Sequence, residues 1–378
     1  MKRAVRIGTP RAGMLVCVCD PQFDVPANDN RVRPVPAFAL VIGFALAVLA
    51  QTLASGLLPL AGASLAPSLA WVPVPFAAMM AGALLASFPA SFLGDAFGRR
   101  TGFALGASLG IAGGLLLALG LLQRQFVWVS LAALWLGMAQ GFSFFYRHEA
   151  AASAGRPAAA AAGVLAGGLL AALAGPTLAT VAEWLFSPVF LVGTAFLAAL
   201  AHTLALGVAV WYAPNATGIQ ARVRTAPLKD IVAPSIVGAM AWFGMSFVMA
   251  AAPMALLGCG VAEGAVFGFL ALHVAAMYGP AAPLTLIARR VPAPALAVGG
   301  AALVAVALPL MGLGAARGDA WILTAVLILV GAGWSVATVG CTGWIHQGRP
   351  ASRLALALHD GALFAAAILG ALATGRLA

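Results

Sequence analysis

Charge is what this sequence has least of. Only 8% of its 378 residues are Asp, Glu, Lys or Arg, and just 10 of these are acidic. A water-solvated domain carries about a quarter charged residues, so a soluble globular fold is excluded. Four cysteines, Cys17, Cys19, Cys259 and Cys341, are too few and too scattered for a disulfide framework. There is no phosphate-cradling Gly-rich loop ending in Lys-Ser/Thr, which excludes ATP drive by this chain. With no zinc-protease helix motif and no nucleophile–base pair, the chain is not expected to be an enzyme. The apolar run at 14–19 is too short for a signal-peptide core, and no small-residue cleavage site follows it.

What is present is apolar surface: 63% hydrophobic residues and a mean hydropathy of +1.04. Lipid must be the solvent for most of it. A span takes roughly 20 apolar residues, which predicts eleven helices near 36–60, 69–93, 101–122, 126–146, 158–182, 188–212, 234–257, 266–288, 294–314, 321–345 and 353–375. The expected fold is all-α and polytopic. Residues 1–34, polar and proline-containing, read as a disordered cytoplasmic tail; 35–212 as a six-helix bundle; 213–233 as a cytoplasmic central loop; and 234–378 as a five-helix bundle.

Placing the N-terminus inside puts every Lys and Arg except Arg124, Arg317 and Arg376 in the tail or an inner loop. That bias sets the expected orientation in a bacterial inner membrane, with the C-terminus periplasmic. It also explains the net charge of +10 without nucleic acid as a partner.

The loop after the second span reads Ser91-Phe-Leu-Gly-Asp95-Ala-Phe-Gly98-Arg99-Arg100. It resembles the signature loop of the major facilitator superfamily, G-x-L-x-D-x-x-G-R-R/K. The resemblance implies a conformational role for Asp95, Gly98, Arg99 and Arg100, with Gly98 at a tight turn and Asp95 meeting a helix N-terminus or an arginine. Ser91 replaces the usual glycine, so looser packing is expected there. Superfamily members usually have twelve helices, and the twelfth is not found here.

Further along stand Phe144-Phe145-Tyr146-Arg147, Met245-Ser-Phe-Val-Met249, His273-Val-Ala-Ala-Met277, Gly331-Ala-Gly333-Trp334 and His359-Asp360. Together they resemble the CcoA-like branch, which includes copper importers serving cytochrome oxidase assembly and lies close to riboflavin importers. The M-x-x-x-M and H-x-x-x-M pairs imply a copper site. Residues four apart share a helix face. Counted from the outer ends of the seventh and eighth spans, Met249 matches His273 in depth, and Met245 matches Met277. Thioethers and imidazole suit Cu(I).

The first expectation is therefore copper import as a monomer without a bound cofactor, using Met245, Met249, His273 and Met277, with Met254 and Cys259 leading inward from outside. A cytoplasmic copper chaperone would be the partner, and Cys17 and Cys19 could join the hand-off. His359 and Asp360 are candidates for proton coupling. The alternatives are transport of an organic solute such as riboflavin, with Trp184, Trp242 and Trp334 as stacking surface, and a non-transporting assembly partner. Tyr146 and Arg147 are read as a headgroup anchor, Gln51, Gln140 and His202 as interhelical glue, and Glu183 and Glu263 as solvated loop charges. Gly175-Pro176 is expected to bend the fifth span.

Overall fold

A computed structural model describes residues 36–212, 226–348 and 350–374. The expected tail, with Cys17 and Cys19, and residues 213–225 of the central loop lie outside them. Among the described residues thirteen α-helices form eleven helical segments long and apolar enough to cross a bilayer. Their positions match the sequence-based spans to within a few residues. Regular helix is dictated by the solvent, because backbone amides in lipid must find partners within their own segment.

The helices are α1 (Ala37–Leu65), α2 (Val74–Ala96), α3 (Arg99–Leu122), α4 (Phe126–Ala152), α5 (Pro157–Ala166), α6 (Gly168–Leu185), α7 (Val192–Tyr212), α8 (Val232–Gly258), α9 (Glu263–Tyr278), α10 (Ala281–Ile287), α11 (Ala293–Arg317), α12 (Ala320–Ile345) and α13 (Arg353–Ala373). The fifth span is broken at Gly167 into α5 and α6, not at Gly175-Pro176, which stays inside α6. A Cβ at Gly168 would overlap the ring of Tyr278, so the break lets α6 approach α9. The eighth span is broken at Gly279-Pro280, where proline cannot donate its amide to a continuing helix.

Before the central loop, α2 and α3 pack on α4, and α7 packs on α1 and α3. After it, α12 packs on α9 and α11, and α8 packs on α11, α12 and α13. The two halves meet along a seam of α2 against α13, α5 against α10 and α12, and α6 against α9. Small residues allow the close approaches, as is usual where lipid gives helices no hydrophobic drive to associate. Gly137 of α4 rides on the Met79 backbone of α2 so closely that a Cβ would overlap its carbonyl. Gly137→Leu should therefore part α2 from α4, measured as loss of the monodisperse peak in detergent size-exclusion chromatography, whereas Gly163→Leu, with open space at its Cβ position, should not.

Several polar residues serve the helix ends. Asp319 Oδ1 accepts the amides of Trp321 and Ile322 to cap α12, and Ser352 Oγ accepts the Ala355 amide to cap α13. Glu183 is not a solvated loop charge: its carboxylate accepts the amides of Leu191 and Thr194 and the Thr194 hydroxyl, at 2.7–2.8 Å. It fixes the start of α7. The Glu263 side chain lies outside the described side chains.

Candidate functional site

The seam is lined at its centre by aromatic rings from six spans. Phe44 (α1), Phe144 (α4), Trp242 (α8), Tyr278 (α9), Trp334 (α12) and Phe364 (α13) are all buried. Phe144 sits at the hub, with ring centroids 5.2 Å from Trp242, 5.8 Å from Phe364, 6.1 Å from Phe44 and 6.2 Å from Trp334. Trp242 and Trp334 are 5.3 Å apart, and Tyr278 lies 5.7 Å from Trp334. Every pair meets edge to face, the arrangement the ring quadrupoles favour.

Buried polar atoms on the same helices are left without partners. The indole nitrogens of Trp242 and Trp334 make no hydrogen bond within the protein, nor do the hydroxyls of Ser246, Ser335 and Thr338 or either amide atom of Gln140. Gln140 precedes Phe144 by one turn, Ser246 follows Trp242 by one, and Thr338 follows Trp334 by one, so each polar group shares a face with a ring. Buried polar groups are normally satisfied, and each orphan costs about 1–3 kcal/mol. A set concentrated around one aromatic cluster offers donors and acceptors that a bound solute could satisfy. The glue reading of Gln140 fails, since it joins no other helix by a hydrogen bond.

Tyr278 also walls a cavity of about 20 Å³, room for a water. Met245, Met249 and Met277 line it, together with Met80 of α2 and Gln51 of α1. Met80 was not singled out in the sequence, because nothing in its own span hints that its side chain shares a cavity with residues of α8. His273 is not among the lining residues. Its Nδ1 donates to the Leu327 carbonyl at 2.6 Å, turning the ring toward α12, and its Nε2 is left without a partner. Met254 is 47% exposed, away from the cavity, and Cys259 is half-buried. Among the described residues no three His, Cys, Asp or Glu side chains converge as a metal site.

The end of the molecule carrying the arginine-rich loops holds the third feature. Arg147 is not a headgroup anchor: it is 1% exposed, and its Nη2 donates to Asp360 Oδ1 at 2.5 Å. Its Nε donates to Thr342 Oγ1 and its Nη1 to the Phe144 carbonyl, and the guanidinium lies 4.9 Å from the Phe144 ring centroid. The ionic cluster thus forms the floor of the aromatic one. His148 Nε2 lies 3.2 Å from Asp360 Oδ1, and its Nδ1 lies 3.1 Å from His346 Nε2. His359 Nδ1 pairs with Ser235 Oγ at 2.9 Å. Burial, reinforced by the nearby His148, Arg147, His359 and Arg353, pushes the His346 imidazole down to about 3. His346 is therefore neutral, and the consistent arrangement has it donating Nε2–H to His148, which donates to Asp360. The sequence flagged His359 and Asp360; Arg147, His148 and His346 were missed because their partners stand about 200 residues away.

The signature loop lies beside this cluster. Gly98 has φ 85°, a left-handed conformation that side chains resist, and it starts α3. Arg99 pairs with Glu149 at the end of α4. Arg100 is also partnered. The Asp95 side chain, and with it the expected contact to a helix end or arginine, lies outside the described side chains. Ser91 does not loosen the packing. It is buried and donates to the Arg353 carbonyl at 2.6 Å, tying α2 to α13 across the seam. His202 is buried against Gly110 with Nδ1 unpartnered, so it too is not interhelical glue by hydrogen bonding.

No protein-family model matches the chain. The riboflavin transporter RfnT of Brucella anthropi is 29% identical over 322 residues, covering 81% of this chain and 79% of that one. Among solved structures, the human organic anion transporter MFSD10 superposes with a TM-score of 0.64 at 15% identity, covering 90% of this chain and 92% of that one. A bacterial homologue of the iron transporter ferroportin, in its outward-facing state, gives 0.58 at 16% identity with the same coverages. These relatives are transporters, not enzymes. Eleven apolar spans, two helical halves meeting along a central seam and this structural likeness together show that the chain has the major facilitator fold.

Proposed function

We propose that this protein is a secondary transporter of a planar aromatic organic solute of the riboflavin class, carried along the seam across a bacterial inner membrane. The carrying observation is the six-ring cluster with its unpartnered indole, hydroxyl and amide groups. A flavin ring offers a flat face for the rings and carbonyl and imide groups for the orphans. The 29% identity to a riboflavin transporter supports the same solute class. The cluster is closed as it stands, so loading the solute must separate rings of the two halves, as alternating access demands. The arginine-rich loops support an inward-facing basic end and a cytoplasmic N-terminus. Expression in a bacterial riboflavin auxotroph lacking its own importer should restore growth on micromolar riboflavin. No rescue by a correctly inserted protein would count against this solute.

A second reading is copper transport, favoured by the four thioethers of Met80, Met245, Met249 and Met277 around one cavity. A cytoplasmic copper chaperone would belong to it. His273 could take part only if its ring left the Nδ1 contact with the Leu327 carbonyl of α12. Met245→Ala and Met277→Ala should then each lower cellular copper accumulation severalfold by elemental analysis. Unchanged copper in both, with flavin growth restored, would leave the organic solute alone.

A further inference from the structure

At the basic end, donors from the first half converge on one carboxylate of the second. Asp360 is fully buried, and its Oδ1 accepts from Arg147 and His148, both on α4. Its Oδ2 has no partner within the protein. The Arg147–Thr342, His148–His346 and Ser91–Arg353 bonds cross the same seam. A cavity of about 30 Å³, large enough for a water, is lined by His148, Ser91, Arg99, Glu149 and Arg353. From His346, half-buried beside exposed Gln347, two hydrogen bonds lead to Asp360.

We propose that Asp360 and His148 form a proton-binding site that locks the basic end shut, and that one bound proton releases it. The ligand is a hydronium ion. The hydronium ion gives a proton to Nδ1 of His346, which passes its Nε2 proton to Nδ1 of His148, which passes its own Nε2 proton to Asp360. Each imidazole ends neutral in its other tautomer, Asp360 ends as a carboxylic acid, and a water is left behind.

The surroundings make that proton count. Arg147 is the only cation bonded to Asp360 among the described residues, while His359 beside it bonds the neutral Ser235 of α8. From α12 come His346, Thr342 and the thiol of Cys341; from α2 comes the neutral Ser91. Glu149 is already paired with Arg99, and Arg353 at the start of α13 is itself partnered. With Asp360 ionised the buried Arg147–Asp360 pair is neutral. A proton added anywhere along the relay leaves one buried positive charge uncompensated, which is strongly disfavoured in a dry interior. Parting α4 from α13 lets water reach Arg147 and removes that penalty.

The purpose of such a lock rests on the transport reading above, but its test does not need a solute. Spin labels at Ser153→Cys and Leu286→Cys, both exposed at the basic end on opposite halves, would report the distance between them in the full chain with its native cysteines replaced by alanine. In nanodiscs the distance should lengthen as pH falls from 8 to 4. Asp360→Asn should abolish the response, as should the charge-neutral pair Arg147→Gln with Asp360→Asn, which guards against misfolding of the single variant. Asp360→Glu should retain it with a shifted midpoint. A distance indifferent to pH in the parent, or a response kept by the double variant, would overturn the proposal. Failure of riboflavin rescue with an intact pH response would overturn only the solute.

Discussion

Arg147→Met should destabilise the detergent-solubilised protein by roughly 3–5 kcal/mol, the usual cost of breaking a buried ion pair from one side. The substitution keeps a long unbranched chain at the site but leaves the fully buried Asp360 carboxylate with only the longer His148 contact. Removing both charges, as Arg147→Met with Asp360→Leu, should recover most of the loss, because a buried pair repays little more than its own desolvation. The non-additivity is the informative quantity. Thermal unfolding of the single and double variants measures it, and a double variant as unstable as the sum of the singles would show that the two side chains act independently. An exposed headgroup anchor would show neither effect, since surface charges contribute about 0–1 kcal/mol.

Trp334→Phe should weaken riboflavin binding about tenfold or more while the protein stays folded. The ring face remains, but the indole N–H, which has no partner within the protein, is no longer there to bond the solute. A buried hydrogen bond lost this way costs about 1–3 kcal/mol, and 1.4 kcal/mol is a factor of ten in affinity. Trp334→Ala should lose binding altogether, because it also opens the packing between Phe144, Trp242 and Tyr278. Quenching of flavin fluorescence on titration with purified protein gives the constants. Equal affinity in the parent, Trp334→Phe and Trp242→Phe would place the solute elsewhere. These rings and the methionine cavity share Tyr278, so copper binding that survives every aromatic substitution would separate the two readings.

The two halves of the signature loop behaved differently. Gly98 was readable because a positive φ is a demand on one residue's own backbone. Ser91 was misread because its value depends on the Arg353 carbonyl, 262 positions along the chain. The same contrast runs through the candidate site. Met245, Met249 and Met277 come to one cavity because helical spacing and depth are local properties of two adjacent spans. His273 has the right depth yet faces α12, since its rotation is fixed by a carbonyl on another helix.

By itself the sequence determined the solvent, the number of spans and the fold class. These follow from hydrophobic run length and from the need of every backbone amide in lipid to bond within its own helix. It also set the distribution of arginines among the loops. Only the tertiary structure decided which side chains share the seam. It placed six rings from six spans together, buried Arg147 against Asp360, and put His148 between that carboxylate and His346. In a chain this uniformly apolar every face of a helix reads alike. The choice of face is made by glycine contacts, caps and hydrogen bonds between spans distant in sequence, and those interactions exist only after the helices have packed.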